Sequence, residues 1–390
     1  MATSVIVVSH RLHRWLPECL ASVADQCDEV VVVDNGSRDA AVAGAAGAAG
    51  ARVVRLTVNA GFPAGVNAGV AAATGDVIAL LNDDAMAEPG WLASARDALV
   101  DPSVAVVAPK LVFALPFAEV RFDDEPRRIG TDARPLGRAL RTATVGGVDV
   151  LERLVGPGVH ALENGELDGR AGPWRWTAGR SPIYVPLGPE DDPSTVEIDG
   201  RPAPVVGTVR LVNNAGSYLS TEGWGGDHGY LSPDDGRFDD PAERFGACGG
   251  AMVTTASTLA RVGPFAGSFF AYYEDVDWCW RARLAGFRAL YEPSGVVRHV
   301  GGVTSGGPLA AQVRGLAARN RLLCLARNAP VTVAAAQLRR ALGACSPPGL
   351  RRALIPRLPA TVATRPLLAR RRHRSPAEVW RQWAGRDETW

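Results

Sequence analysis

Residues 77–85 read VIALLNDDA, an apolar run that ends in three polar residues before an alanine. Val77 to Leu81 are apolar and start with a β-branched residue, which is typical of a strand buried on both faces. Asn82, Asp83 and Asp84 follow at the carboxyl end of that predicted strand. Adjacent carboxylates disfavour each other's charge unless a cation is near, so the pair predicts a site for a positive ion. A turn in which the aspartates accept backbone N–H bonds is the alternative.

Strand and helix patterns alternate along the first 110 residues. Strands are predicted at 4–8, 29–34, 51–56, 77–81 and 104–113, and helices at 12–24, after Arg38, at 65–73 and at 90–99. This alternation favours a parallel, doubly wound α/β sheet, which binds ligands at the carboxyl ends of its strands. Polar residues stand at those ends, with Ser9 and His10 after the first strand and Asp34 after the second.

The two common phosphate-binding loops are missing from the sequence. No G-x-G-x-x-G follows the first strand, and no G-x-x-x-x-G-K-[ST] occurs, which argues against dinucleotide enzymes and P-loop ATPases. The phosphates of a bound nucleotide would therefore need another cation. A divalent metal held by Asp84 can supply it, because hard ions prefer carboxylate oxygen and bridge readily to phosphate.

Bulk composition is that of a globular protein, with 47% hydrophobic and 7% aromatic residues in a chain of 390. The six cysteines form no C-x-x-C pair, so the sequence predicts reduced thiols rather than a zinc or redox site. The chain begins in a strand-like run without a signal peptide pattern, and no apolar window reaches membrane-spanning length. These features predict a cytoplasmic protein.

A second informative stretch, SFFAYYEDVDWCWRARLAGF, covers residues 268–287. Three acids, Glu274, Asp275 and Asp277, follow an aromatic run and begin a predicted helix. A carboxylate beside aromatic rings and backed by Arg281 can accept a proton from a substrate hydroxyl. Stabilisation of the helix amino terminus by acids is the alternative. Further on, His299 stands before a glycine-rich loop, where it is either a metal ligand or a structural histidine.

Seven segments together resemble the motifs of one enzyme family: VIVVSHR, VVVDNGSRD, NAGFPAGVNAG, LLNDDA, GACGGAMV, FFAYYEDVDWCWRARLAGF and RHVGGVTSG. Their order resembles that of the family 2 inverting glycosyltransferases, and within them the bacterial rhamnosyltransferase-like branch. The resemblance covers roughly residues 3–112 and 245–325. It implies the GT-A fold, a Rossmann-like mixed sheet flanked by helices.

The resemblance also implies roles for individual residues. Asp34 corresponds to the acid that reads the nucleobase, and Asp83 to a residue near the ribose. Asp84 corresponds to the residue that binds Mg²⁺ or Mn²⁺ with the donor diphosphate, His299 completes the metal site, and Asp275 is the catalytic base. The remaining residues implied or predicted to bind substrate are Ser9, Asn59, Gly61, Asn67, Asn82 (in place of the first acid of the metal motif), Glu274 and Arg281.

The chain departs from this family between residues 113 and 245, where well over a hundred residues replace a few tens. Short β-like pieces predict a β-rich insertion there. We therefore divide the chain into a nucleotide-sugar-binding half (1–112), the insertion with an active-site loop (113–244), an acceptor-side half (245–325) and a helical basic region (326–390). In the loop at 213–230, Trp224, Asp227 and His228 are predicted to contact the donor sugar or the acceptor, or else to pack within the loop.

The carboxyl-terminal region is strongly basic. Residues 293–377 contain fifteen Arg and no Asp or Glu, whereas the first 292 residues hold 38 acids against 25 Lys and Arg. Arginine clusters separated by apolar residues are typical of helices that lie on anionic membranes. This predicts peripheral association with the inner face of the plasma membrane. The alternatives are arginines that pair with the acidic body, or a homodimer contact; no nucleic-acid-binding signature is present.

We predict a metal-dependent inverting glycosyltransferase that moves a sugar from a nucleoside diphosphate to an acceptor hydroxyl. The resemblance favours dTDP-rhamnose as donor, with a UDP-sugar next, and a glycan, a polyprenyl-linked glycan or a small natural product as acceptor. The alternatives are a sugar-phosphate nucleotidyltransferase, which needs a glycine-rich loop that SHRLHRWLPE lacks, and a non-catalytic sugar-nucleotide-binding protein.

Overall fold

A computed structural model describes residues 1–38, 41–129, 132–301, 308–343 and 349–386. The amino-terminal half of the main domain comprises β1 (Thr3–Ser9), α1 (Leu16–Val23), β2 (Glu29–Asn35), α2 (Ala41–Ala48), β3 (Arg52–Leu56), α3 (Phe62–Ala72), β4 (Val77–Asn82), β5 (Ala85–Ala87), α4 (Trp91–Ala98) and β6 (Val104–Phe113). The alternation of strands and helices is the one that the sequence predicted.

The central sheet is mixed and includes ten strands among the described residues. The later strands that complete it are β17 (Val212–Asn214), β20 (Ala242–Glu243), β21 (Ala251–Thr255) and β22 (Arg288–His299). The order is β20-β22-β6-β21-β4-β1-β2-β3, with β17 on β6 and β5 on β22. The four strands β4, β1, β2 and β3 are parallel, whereas β21 runs antiparallel to β4 and β6. The predicted α/β fold class with a mixed sheet is confirmed.

Apolar cores cover both faces of the sheet. Successive residues of β1 belong to different cores, with Val5 and Val7 on the face of α1 and α4 and with Ile6 and Val8 on the face of α3. Burial on both sides is the physical reason for the unbroken apolar runs in the sequence.

Two helix starts differ from the predicted ones, and both changes shape the site. The first helix begins at Leu16 rather than residue 12, so residues 10–15 form a loop at the carboxyl ends of the strands. The third begins at Phe62, earlier than residue 65, because Gly61 takes φ +87° and Pro63 occupies the first turn. Proline there costs no backbone hydrogen bond, since the first N–H groups of a helix have no internal acceptor.

The predicted insertion is β-rich. Its strands are β7 (Phe117–Val120), β8 (Ala139–Leu140), β9 (Ala143–Val145), β10 (Val148–Asp149), β11 (Val159–Leu167), β12 (Arg170–Thr177), β13 (Ile183–Pro186), β14 (Val196–Ile198), β15 (Arg201–Pro202) and β16 (Val205–Val209). They form three small sheets around a core of their own that includes Val120, Leu140 and Val185. The chain then returns through β17 and the hairpin β18 (Ser217–Leu219) and β19 (Gly225–Asp227).

Helices dominate the remainder, as the sequence predicted: α5 (Ala256–Val262), α6 (Glu274–Leu284), α7 (Pro308–Asn328), α8 (Val331–Ala341), α9 (Leu350–Leu354), α10 (Leu358–Ala363), α11 (Arg365–Ala369) and α12 (Pro376–Trp383). The last helices share a core with α6, in which Leu354 and Trp383 are buried. The rings of Trp280 and Trp380 stack with centroids 5.8 Å apart. The basic region is therefore part of the folded body, and α7 runs across the boundary that we predicted at residue 326.

No helix among the described residues is long and apolar enough to cross a membrane. The cysteines of the described ranges are free thiols, as predicted, and Cys345 lies outside those ranges. Residues 302–306, the end of the RHVGGVTSG segment, also lie outside them.

Candidate active site

The candidate site lies where β4 and β22 end at the same edge of the sheet. Strand β4 ends at Asn82, and a tight turn through Asp83 and Asp84 leads into β5. Strand β5 pairs antiparallel with β22, and its first residue, Ala85, stands opposite His299. This register brings the two predicted metal ligands together from distant parts of the chain.

His299 Nε2 lies 3.1 Å from Asp84 Oδ1 and 3.2 Å from Asn82 Nδ2. On its other side, His299 Nδ1 lies 3.1 Å from Asn213 Oδ1. Since an amide oxygen only accepts, Nδ1 carries a hydrogen in this contact, and Nε2 is the ring nitrogen that faces Asp84. The second oxygen of Asp84 accepts the backbone N–H of Gly301 at 3.1 Å.

Asp84 Oδ1 and His299 Nε2 are suitable ligands for a divalent cation. Burial opposes ionisation of Asp84, but the contacts with His299 and the N–H of Gly301 outweigh it and hold the pKa below its ordinary value. A carboxylate oxygen and an imidazole nitrogen thus lie side by side, and both are ligand types that bind divalent metals. No group of three or more His, Cys, Asp or Glu side chains clusters this way in the described ranges. The remaining ligands must therefore come from phosphate and water, as is usual for Mg²⁺.

A cleft of about 500 Å³ opens beside this pair, between the loop after β1 and the aromatic run before α6. Asp83 lies on its wall, and its Oδ2 is 3.0 Å from His13 Nε2. This hydrogen bond raises the pKa of His13 above the ordinary value, although burial opposes the shift. Trp15 and Tyr272 also line the cleft. No site role was predicted for His13, Trp15 or Tyr272 from the sequence.

The predicted base, Asp275, lies near the two predicted metal ligands, Asp84 and His299, which are called the metal pair below. Two consecutive glycines lie between Asp275 and this pair. The backbone N–H of Gly249 donates to Asp275 Oδ2 at 2.8 Å. A Cβ on Gly250 would lie 3.5 Å from both Asn82 Nδ2 and His299 Cε1. The GG of GACGGAMV therefore lies between the carboxylate and the two predicted metal ligands, and it contacts both.

Burial raises the pKa of Asp275 above its ordinary value, although backbone N–H groups, that of Gly249 first, oppose the shift. Burial and then repulsion from Asp275 raise the pKa of the neighbouring Glu274. Glu274 is buried, and its Oε2 has no hydrogen-bond partner among the described residues. Asp275 is only partly buried. Of the two carboxyls, Asp275 is therefore the one that a substrate can reach.

The expected support of Asp275 by Arg281 is wrong. Arg281 is buried on the far side of α6, where its Nε donates to Asp277 Oδ2 at 2.9 Å. Helical geometry is the reason, because residues four apart share a face whereas Asp275 points elsewhere. Asp277 also accepts from Arg327 Nε at 2.7 Å and from Asn328 Nδ2 at 2.7 Å. This network joins α6 to α7, and Arg281 is a structural residue rather than a substrate ligand.

The predicted nucleotide-pocket residues divide into two groups. Asn59 and Gly61 lie in the loop after β3, where Asn59 Oδ1 accepts the N–H of Gly61 at 3.0 Å. The N–H of Phe62 donates to Phe270 O at 2.7 Å, which joins this loop to the aromatic run. Asn67, by contrast, uses both ends of its amide on the backbone of Phe265, at 2.8 and 3.0 Å. Asn67 therefore anchors α3 instead of facing the cleft.

Ser9 is the last residue of β1 and Asp34 is the last but one of β2, so both lie at the carboxyl ends of parallel strands, as predicted. Asp34 Oδ1 accepts the N–H of Ser37 at 2.8 Å, and Oδ2 lies 3.3 Å from Arg55 Nε. Oδ2 is buried without a hydrogen bond within the described chain, so it keeps an acceptor for an N–H group. Ser9 is buried, and its hydroxyl donates to Arg11 O at 3.3 Å.

The hairpin after the insertion covers the base. Asp227 Oδ1 accepts from Asn214 Nδ2 at 2.5 Å, and the N–H of Gly225 donates to the Tyr273 hydroxyl at 3.2 Å. Burial raises the pKa of Asp227 to about 6, with Asp275 adding repulsion and Asn214 opposing it. Trp224 remains 38% exposed, with the guanidinium of Arg321 4.5 Å from its ring centroid. His228 packs inward against Tyr218.

Sequence reasoning missed three residues that orient the site: Asn213, Asn214 and Gly249. The two asparagines begin the returning loop and bind His299 and Asp227 respectively. The sequence did contain one signal for them, two consecutive asparagines before a glycine-rich stretch, because asparagine side chains in turns often hydrogen-bond to nearby groups. Nothing in the sequence tells which acids or histidines they would meet.

Comparison with known proteins finds a family match in the first third of the chain. The model of Glycosyl transferase family 2 matches residues 4–130. This match agrees with the predicted enzyme class, a glycosyltransferase, for that part of the chain, and the mixed sheet confirms the predicted α/β fold class. A TPR repeat-containing protein of Synechococcus elongatus is 49% identical over 69 residues, which are 18% of this chain and 17% of that protein.

Among solved structures, GalNAc-T7 with UDP, GalNAc and Mn²⁺ is similar with a TM-score of 0.49 and 13% identity, over 84% of this chain and 48% of that one. The mannosyltransferase PcManGT from Pyrobaculum calidifontis, with GDP-Man and Mn²⁺, has a TM-score of 0.43 and 16% identity, over 98% of this chain and 87% of that one. The chain thus spans about half of the GalNAc-T7 chain and a small part of the curated relative.

Proposed function

We propose that the protein is a metal-dependent, inverting glycosyltransferase that moves a sugar from a nucleoside diphosphate to an acceptor hydroxyl. The observation that carries the proposal is the pairing of Asp84 with His299 at 3.1 Å, next to a reachable carboxylate on Asp275. The family match over residues 4–130 supports the same class of reaction.

Asp275 is the residue that takes the proton from the acceptor hydroxyl. The N–H groups of Gly249 and Val276 hold its two oxygens at 2.8 and 2.7 Å, so the carboxylate has a fixed orientation. Displacement with inversion is a single step and needs one base on the acceptor side. General-base assistance of this kind contributes about 10²–10⁴-fold to the rate.

Asp84 and His299 would hold Mg²⁺ or Mn²⁺ together with the donor diphosphate. The metal supplies Lewis-acid stabilisation of charge on the departing nucleoside diphosphate. Asn213 holds Nδ1 of His299, so Nε2 is the ring nitrogen placed to bind the metal. Asp83 stays beside this pair, and its contact with His13 sets the wall of the cleft near the ribose.

The donor that we propose is dTDP-rhamnose, with a UDP-sugar as the second choice, on the strength of the resemblance to the rhamnosyltransferase-like branch. Asp34 Oδ2, buried beside Arg55 with an unused acceptor, suits an N–H of a pyrimidine base. The acceptor is a glycan, a polyprenyl-linked glycan or a small natural product. Trp224 and Asp227, above the base, are proposed to contact the acceptor sugar.

We also propose that the exposed face of the carboxyl-terminal helices touches an anionic membrane. Ile355 and Leu367 are 53% and 61% exposed, and Arg351, Arg352 and Arg370 are exposed close to them in the chain. Deleting this region is not a useful test, because Leu354 and Trp383 belong to the core. The test is a variant in which Arg351, Arg352 and Arg370 lose their charge. Its cosedimentation with vesicles of anionic lipid is compared with that of the wild type.

A screen of nucleoside diphosphates by thermal unfolding, with and without Mn²⁺, tests the central proposal. Ligand at about 100 times its Kd stabilises the fold by roughly 2.7 kcal/mol. We expect dTDP or UDP to raise the unfolding temperature only with Mn²⁺, and the corresponding sugar nucleotide to be hydrolysed slowly. Metal-independent binding of a nucleoside triphosphate would instead favour a nucleotidyltransferase, and binding without any turnover would favour a non-catalytic protein.

A further inference from the structure

A second cavity adjoins the metal cleft. It has a volume of about 340 Å³ and lies between the loop after β1 and the β-rich insertion. Trp15 lines both spaces, so the indole forms the wall between them. The insertion contributes Arg153, Gly188 and Asp191 to the lining, and the loop after β1 contributes Arg14.

Two arginines in this lining have no anionic partner among the residues that the structure describes. Arg153 Nε is buried and has no hydrogen-bond partner among the described residues, and no ion pair within those ranges involves its guanidinium. The guanidinium of Arg14 stacks over the Trp15 ring, 4.4 Å from the centroid, and it too has no ion pair there. A buried donor on a charged group is costly unless it is satisfied, so an unpaired Arg153 points to a missing acceptor.

The one acid in the lining is already oriented by the backbone. Asp191 Oδ2 accepts the N–H of Gly188 at 2.6 Å, and its side chain is exposed at the rim. The lining therefore carries two positive charges, on Arg14 and Arg153, and one negative charge, on Asp191. A rim carboxylate of this kind also accepts hydrogen bonds from sugar hydroxyls.

We propose that this cavity binds an anionic group of the acceptor, a phosphate or a carboxylate, between Arg14 and Arg153. Guanidinium groups suit such anions because their N–H donors pair with two oxygens at once. The assignment of this anion to the acceptor rests on the proposed function, in which Asp84 and His299 hold the donor diphosphate in the neighbouring cleft. The insertion thereby acquires a role in choosing a charged acceptor.

The test uses inorganic phosphate as probe and the full chain saturated with UDP and Mn²⁺. Isothermal titration then reports only sites that the nucleotide leaves free. We expect phosphate to bind the saturated wild type, and Arg153→Gln and Arg14→Gln each to weaken binding by about tenfold or more. Arg170→Gln, an exposed arginine of the same insertion, is the matched control and should leave the phosphate Kd unchanged.

UDP affinity and the unfolding temperature are measured for every variant. Both should match wild type in Arg14→Gln, whose side chain is exposed, so this variant keeps the test valid if Arg153→Gln fails to fold. Phosphate that binds only in the absence of UDP, or that binds both variants as tightly as wild type, overturns the proposal. If UDP binds no form of the protein, the proposed function fails, and phosphate titration of the nucleotide-free chain and its variants still decides the role of the cavity.

Discussion

Asn213 Oδ1 lies 3.1 Å from Nδ1 of His299, so the segment that returns from the insertion orients a residue of the metal pair. The contact joins β17 to the end of β22 and ties the tautomer of the imidazole to the position of the insertion. Outer residues of this kind control the affinity of the metal that they do not touch.

Asn213→Ala should weaken Mn²⁺-dependent binding of UDP or dTDP by about 10–100-fold, because His299 loses the acceptor that fixes its ring. Titration calorimetry with and without Mn²⁺ measures the effect. Asn164→Ala, an exposed residue of β11, is the control and should bind as wild type. Unchanged affinity in Asn213→Ala would show that the ring keeps its orientation without this contact.

Asp84→Ala should abolish metal-dependent nucleotide binding and leave the fold intact, since Asp84 is at a turn and supports no core packing. The measurement is the Mn²⁺-dependent rise in unfolding temperature with nucleotide. Asp101→Ala changes a surface carboxylate away from the cleft and serves as control. A nucleotide affinity that still depends on Mn²⁺ in Asp84→Ala would remove Asp84 from the metal site.

Asp275→Asn should bind donor as tightly as wild type and transfer sugar about 10²–10⁴-fold more slowly. Because the base must be ionised and burial raises the pKa of Asp275, the wild-type rate should rise with pH through that raised value. The pH dependence of kcat checks this sign. A rate near that of wild type would transfer the role to another carboxyl, and Asp227 is then the residue to change.

Asp277→Ala should lower the free energy of unfolding by about 3–5 kcal/mol, because it leaves Arg281 and Arg327 buried without their partner. The two arginines outweigh burial and depress the pKa of Asp277 in the folded state. This stabilisation is therefore present at a pH above the ordinary pKa of Asp277, near 3.8, and it is lost as pH falls through the lower pKa of the folded state. Urea unfolding between pH 2 and 7 measures it, and a stable variant would contradict the structural role.

Glu274→Gln should stabilise the fold at neutral pH. Burial and Asp275 raise the pKa of Glu274, so the folded state retains a proton that the unfolded chain loses. Wild-type stability therefore decreases as pH rises above the ordinary value of about 4.5, and the amide, which mimics the protonated acid, removes that decrease. Chemical unfolding from pH 4 to 8 tests the slope. A slope unchanged in Glu274→Gln would mean that Glu274 ionises freely.

Local sequence patterns were sufficient to predict the α/β sheet and the alternation of strands and helices along the first 113 residues. Buried runs such as Val77 to Leu81 must form strands covered on both sides, and the polar residues after them must lie at one edge, because parallel strands end together. Asp84, Asp275 and His299 were therefore identifiable as a group from position and resemblance. The β-rich insertion and the helical end were also predictable from local patterns.

Only the tertiary structure decided which side chains meet. Arg281 stands six residues after Asp275 in the chain yet pairs with Asp277, since the helix turns the two onto different faces. Composition could not tell which arginines of the carboxyl-terminal helices are buried and paired with an acid and which are exposed. Arg327 is buried and binds Asp277, whereas Arg351 is exposed. Asn213 and Arg153 gained roles only through long-range packing, because the distance of a residue from a site in space is independent of its distance along the sequence.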